Sequence, residues 1–269
     1  MTGEIGIGPT EAFSLRVSVA TLARVVFPRP ADGVTMLALE NKATLVSRGR
    51  SFEAAVLAQP FGGAVRILDL ARFAERSGGF HFDSRRAGEE HDFRIYIQPD
   101  RWEELQALCR AELLADEPAV LESSPERELV EEFHDTLGFH LAAEDYTLRQ
   151  VGMAVERQPA PTTNLHAAGS PTVRIYRIDH VEVCNPALQA LMLRSSQAHP
   201  AEALRRRAFE GLQSGGRGRA NAVLALPLAE VRAFYRSLPE AERGKRLTFG
   251  GAVLAGNVAA VLELSLIHI

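Results

Sequence analysis

Cysteine is nearly absent. The 269-residue chain has two, Cys109 and Cys184, and their separation matches neither a zinc-ligand nor a redox spacing. A disulfide framework and a structural zinc site are therefore excluded, and both thiols are read as small core residues in a reducing compartment. No apolar run is long enough to cross a bilayer. No basic region precedes an apolar core at the N-terminus, where Glu4 interrupts the sequence, so the expectation is a cytoplasmic protein without a secretory signal or a membrane partner. An excess of positive charge is also lacking, since Lys and Arg total 30 against 34 for Asp and Glu. Such a balance gives no field that would gather nucleic acid. Arg205-Arg206-Arg207 and Arg217-Gly218-Arg219 are accordingly read as solvated basic surface. Gly78-Gly79 and Gly215-Gly216 lack the strand-before, helix-after setting of a dinucleotide fingerprint. The single tryptophan, Trp102, is read as a packing anchor.

What is present is an ordinary globular balance, with 46% hydrophobic and 24% charged residues, enough for a sizeable core. Residues 1–12 carry Gly and Pro and read as loosely ordered. From Phe13 to Phe27 the pattern fits a strand or a short helix. Val34 to Glu40 and Ala43 to Arg48 are β-rich, and Asn41-Lys42 between them reads as the tight turn of a hairpin. Ala55 to Ala58 leads into Pro60-Phe61-Gly62-Gly63-Ala64-Val65. Residues 66–122 mix elements: a helix near 67–76, a turn at 77–79, a strand at 93–97, and a helix from Trp102 capped by Asp100. Tyr146–Glu156 and Thr172–Val183 read as long strands, 186–196 and 200–212 as helices, 222–226 as a strand and 228–236 as a helix. The last six residues, 264–269, can be reverse-translated to a sequencing-library transposase adapter and are read as a non-native tail.

The chemistry concentrates near residue 130. Ser123-Ser124-Pro125-Glu126 reads as a helix start with a serine N-cap. Leu129, Phe133 and Leu137 form a buried stripe on that helix, and Gly138 suits a left-handed C-cap. Glu128, Glu131 and Glu132 stand at i, i+3 and i+4 on one face. Three carboxylates so close repel unless cations compensate them, and hard oxygen donors suit Mg²⁺ or Mn²⁺.

Arg127-Glu128-Leu129-Val130-Glu131-Glu132 resembles the R-E-U-x-E-E helix of the Nudix family, U being a bulky aliphatic. Pro60-Phe61-Gly62-Gly63 resembles that family's glycine loop with one extra residue, and the strands at 34–48 and 172–176 resemble those around it. The likeness implies an α/β (α+β) fold, a Nudix-like mixed β-sheet sandwiched between helices. Residues 1–27 would be an N-terminal segment and 28–263 the domain, with 66–122 an inserted subdomain. It implies metal-dependent hydrolysis of a nucleoside-diphosphate-linked pyrophosphate, a small-molecule nucleotide-type substrate. The alternative is a nucleotide- or ligand-binding sensor of the same fold without turnover. By that resemblance Glu131 and Glu132 bind Mg²⁺ or Mn²⁺, and Glu128 is a further ligand or the base. Arg127 holds the glutamates through a bidentate pair, Gly62 and Gly63 admit phosphate, and Arg174 touches phosphate. The sequence departs from the family in three places: about fifty extra residues separate Gly63 from Arg127, Ala119 stands where the box has a glutamate, and His134 where it has a closing glycine.

Overall fold

A computed structural model describes residues 4–48, 51–115, 117–122, 124–156, 158–162, 167–216 and 218–262. Among them run the strands β1 (Ile5–Ile7), β2 (Leu15–Pro28), β3 (Thr35–Arg48), β4 (Ser51–Gln59), β5 (Phe80–Phe82), β6 (Arg94–Ile97), β7 (Tyr146–Val155), β8 (Ala160–Pro161), β9 (Pro171–Val183), β10 (Arg219–Pro227), β11 (Leu247–Phe249) and β12 (Ala252–Leu254). The helices are α1 (Leu70–Ser77), α2 (Arg85–Glu90), α3 (Trp102–Leu113), α4 (Glu126–Leu137), α5 (Pro186–Ala198), α6 (Ala201–Gln213), α7 (Leu228–Ser237), α8 (Glu240–Arg243) and α9 (Val258–Leu262). The architecture is mixed α/β, a curled mixed sheet with helices packed on it. Among the described residues no helix is long and apolar enough to cross a membrane. The suspected tail, 264–269, lies outside the described residues.

Strand β2 organises the sheet. Its near-continuous apolar run is what a strand buried on both faces requires, and Pro28 ends it by removing a donor. One edge of β2 pairs in parallel with β9 from Arg16 to Val26. The other edge pairs with β6 at 15–18 and with β3 at 25–28. Between those two partners the edge is open, and the Pro60–Val65 loop fills it. Thr21 N donates to Gly63 O at 3.0 Å and Ala23 N to Phe61 O at 2.8 Å. The glycine loop is thus laced to the central strand rather than hanging from a sheet end. Residues 15–27 of the N-terminal segment therefore belong to the middle of the sheet. Residues 5–7, expected to be loose, form β1 beside β5.

Asn41-Lys42 is not a turn. Both residues lie inside the continuous β3, bonded to β4 at Ala58 and Leu57 and to β10 at Ala222 and Asn221. A two-residue hairpin needs positive φ at its centre, which Gly or Asn-Gly supplies and Asn-Lys does not. The β3–β4 connection comes later, at residues 49–50, outside the described residues.

The 66–122 insertion leaves and returns at one place. Ile67 bridges Leu121, and Glu122 N donates to Arg66 O at 2.8 Å. Because its ends are paired, the extra length does not separate Gly63 from Arg127 in space. Nor is the insertion a detached body: Ile67, Phe73, Phe80, Phe93 and Leu105 share a core with Val17, Val19, Val173 and Ile175. Trp102 packs partly buried against that core, as expected. Asp100 does not cap α3; it sits in a 3₁₀ turn over Pro99–Arg101 that feeds directly into the helix. Cys109 is buried but Cys184 is exposed, since it follows the last residue of β9.

Candidate functional site

Helix α4 starts at Glu126, two residues later than a serine cap at 123 would place it. Ser123 lies outside the described residues. Pro125 occupies the N-cap position, and Ser124 Oγ accepts from Glu126 N at 3.2 Å. Gly138 closes the helix at φ 65°, donating to His134 O, as its position in the sequence implies. Leu129 and Phe133 are fully buried, in one cluster with Ala23, Val25, Phe27 and Phe61. The rings of Phe61 and Phe133 lie 4.8 Å apart. Phe61, the extra residue of the glycine loop, is thus the apolar pin that fastens this loop to α4.

With the stripe buried, the opposite face of the first turns meets the loop. Gly62 N donates to Glu132 Oε2 at 2.6 Å. A Cβ on Gly63 would overlap the carboxylate of Glu128, and one on Gly62, whose φ is +134°, would overlap the carbonyl of Thr21. Both glycines are required by close approach, one to a side chain and one to backbone.

Two cations pair with the glutamates. Arg127 Nη1 reaches Glu128 Oε1 at 2.7 Å and Glu131 Oε1 at 3.4 Å, while its Nε donates to Glu122 Oε2 at 3.0 Å. The expected bidentate pair is instead a fork shared among three carboxylates. Lys42, from the middle of β3, reaches Glu132 Oε1 at 3.0 Å and also pairs with Glu40. Glu40 is buried and accepts from Thr136 Oγ1 of α4 at 3.0 Å and from Asn221 Nδ2 at 3.1 Å. Strand β3 therefore grips α4 at two successive turns.

A polar cavity of about 550 Å³ opens here, lined by Lys42, Gly62, Gly63, Arg127, Glu128, Glu131 and Glu132 among others. The insertion supplies a wall, through Arg66, Arg86, Glu90, Asp92 and Arg94, and β10 supplies Arg219. Arg86 and Arg94 pair with Glu90 and Asp92. Arg66 and Arg219 make no ion pair among the described residues. Six of the seven residues singled out from sequence thus converge: Gly62, Gly63, Arg127, Glu128, Glu131 and Glu132. Arg174 does not; it lies on β9 outside this lining and pairs with Glu156 Oε2 at 2.9 Å. Sequence reasoning missed Glu40, Lys42 and the wall. The signal for the first two was a polar Glu-Asn-Lys triplet inside an apolar strand.

Electrostatics follow from burial. Desolvation raises Glu128 above the ordinary carboxylate range, Arg127 opposing it and Glu131 and Asp92 adding to it. Glu132 is pushed up to about 8, first by burial and then by Glu40, with Lys42 and the Gly62 N–H opposing. Burial disfavours the charge of Lys42, but Glu132 and Glu40 outweigh it and its pKa rises. The folded chain thus holds a proton at Glu132 that an unfolded chain, at the ordinary 4.5, releases. That contribution to stability is complete below about pH 4.5 and is lost as pH rises to about 8. In EDTA, the melting temperature of the wild type is therefore expected to fall relative to Glu132→Gln between these limits. Parallel melting curves across that range would show the opposite if Glu132 were an ordinary solvated carboxylate.

The donor set is oxygen-rich and suits a hard cation in kind. Among the described residues, however, no three His, Cys, Asp or Glu side chains stand together at metal-holding spacing. No protein-family model, no curated protein and no solved structure matches this chain.

Proposed function

We propose that the chain is a Nudix-like hydrolase of a phosphoanhydride in a nucleoside-diphosphate-linked substrate, dependent on Mg²⁺ or Mn²⁺. One observation carries this reading: the Gly63 backbone lies directly against the Glu128 carboxylate, across a fifty-residue insertion whose ends are paired. A phosphate placed there meets backbone at close range on one side and carboxylates on the other. Glu131 would hold the cation, joined by Glu132 once Lys42 releases it, with Glu128 a further ligand or the base. A bound divalent ion supplies polarisation of phosphoryl oxygens and acidification of water. The chain's own groups do the rest. Glu128, its proton affinity raised by burial, suits removal of a proton from water. Arg66 and Arg219 line the cavity with no ion pair among the described residues and are available to phosphate oxygens. Arg127 keeps Glu128 and Glu131 in place between turnovers.

The test is phosphate release from a panel of nucleoside-diphosphate derivatives with each metal. Glu128→Gln is expected to lower turnover by about 100-fold or more, the usual scale of a lost general base, and Glu131→Gln and Glu132→Gln to lower it as well. A folded wild type inert to the whole panel would overturn the reading.

A second reading rests on a different fact: Lys42 and Arg127 already engage the carboxylates of all three glutamates. On that basis the pocket binds a nucleotide-type ligand without metal and without cleavage. Thermal stabilisation by a nucleotide that persists in EDTA, with no turnover, would favour it over hydrolysis.

A further inference from the structure

A second group of charges lies on the other face of the sheet. In β2, Ala23 and Val25 point toward α4 and the glycine loop, as members of their core cluster. Arg24, between them, points the opposite way, toward the side where α7 and α9 pack on Val26 and Leu22. Register sets His180 of β9 beside Arg24 and Arg149 of β7 beside His180. Two arginines and a histidine thus form a row across three neighbouring strands, spaced by about 5 Å between strands. Arg232 of α7 adds a third guanidinium within electrostatic reach of both Arg24 and His180.

Among the described residues the row makes no ion pair. Arg24 is only 8% exposed, yet its one side-chain partner among the described residues is neutral: its Nε donates to His180 Nδ1 at 3.1 Å. Neither Arg149 nor Arg232 makes an ion pair among the described residues. Glu182, two residues along β9 from His180, is an opposing charge that acts on the ring. Burying a guanidinium beside two others without a carboxylate is costly. Burial, then Arg232 and Arg149, push Arg24 down, and burial, then Arg24 and Arg149, push His180 down. Since His180 Nδ1 accepts from Arg24, the ring is neutral and its Nε2 carries the hydrogen, a fourth donor in the row.

We propose that Arg24, Arg149, His180 and Arg232 form a phosphate-binding site, distinct from the Gly62–Gly63 pocket and on the opposite face of the sheet. Its ligand is a compact dianionic phosphate, either inorganic phosphate or the terminal group of a phosphate monoester. Guanidinium forks match phosphate oxygens in geometry and charge. A bound dianion would relieve the repulsion among the three arginines, so occupancy would stabilise the fold. This assignment stands whether or not the other pocket hydrolyses anything.

Inorganic phosphate is the probe, titrated by calorimetry and by melting temperature at constant ionic strength against chloride. Arg149 is exposed and Arg232 half-buried, so Arg149→Gln and Arg232→Gln spare the core. Saturable binding is expected in the wild type, weakened by about tenfold in each variant, as for one lost charge-assisted contact. Without phosphate, both variants are expected to melt higher than wild type, because a like charge has been removed; a merely solvated arginine gives no such rise. Gly63→Ala, in the other pocket, should leave phosphate affinity unchanged. The proposal is overturned if phosphate acts no differently from chloride. It is equally overturned if Arg149→Gln and Arg232→Gln bind as wild type while Gly63→Ala loses binding.

Discussion

Replacing Gly63 by alanine is expected to eliminate activity or ligand binding at the glycine-loop pocket while leaving the fold intact. The added methyl meets the end of the Glu128 side chain, not backbone. Glu128 is free to rotate aside, so stability should change by no more than about 1 kcal/mol. Its carboxylate, however, would leave the position against the glycine loop on which the proposed site depends. Gly62→Ala should behave in the reverse order. There the backbone φ is +134° and the new methyl meets the Thr21 carbonyl, part of the central strand. Neither partner can yield cheaply, so a destabilisation of about 3 kcal/mol is expected, combining backbone strain with steric overlap. Chemical denaturation of the two variants, alongside ligand titration, separates the effects. Equal loss of stability at both positions would show that the loop is not seated as described.

Phe133→Ala should give the largest stability loss outside the glycines, about 3–5 kcal/mol for a fully buried aromatic. The side chain has no exposure and its ring lies 4.8 Å from that of Phe61, tilted by 33°. Its loss removes the pin between loop and helix, so ligand affinity should fall in the fraction that remains folded. Val130, one turn-position away and 40% exposed, provides the contrast: Val130→Ala should change stability by less than about 0.5 kcal/mol. Denaturant midpoints decide between them, and a small effect at Phe133 would mean α4 is held mainly by its polar contacts.

Those polar contacts explain what the sequence disclosed and what it hid. Period-four spacing of Leu129, Phe133 and Leu137 made α4 and its buried face legible, because burial of a helix leaves a direct imprint on spacing. The long strands at 146–156 and 172–183 were legible for the same kind of reason, period two in place of 3.6. The Glu40-Asn41-Lys42 triplet misled for an equally physical cause. Polar residues in an apolar run usually mark a turn, yet here Glu40 and Lys42 are polar partners of α4 and β10, bonded to Glu132, Thr136 and Asn221. No local pattern distinguishes the two, since the partners lie 90 or more residues away. The pocket wall was hidden in a similar way. Arg66, Asp92 and Arg94 look like ordinary charged residues until the pairing of Ile67 with Leu121 folds the insertion back beside the loop. Arg174 shows the converse: a cation on an expected strand, at a suitable distance in sequence, that the topology turns toward Glu156 instead.

The decisive measurement is a double-mutant cycle on ligand affinity. A non-hydrolysable nucleoside diphosphate analogue with Mn²⁺ would be titrated into wild type, Gly63→Ala, Glu128→Gln and the double variant. If the loop and the helix together make one phosphate site, the two losses overlap, and the double variant is weaker than either single by far less than their sum, a coupling of about 1 kcal/mol or more. Strictly additive losses, or an analogue that binds all four proteins alike, would show that glycine loop and glutamate helix are neighbours without a common ligand.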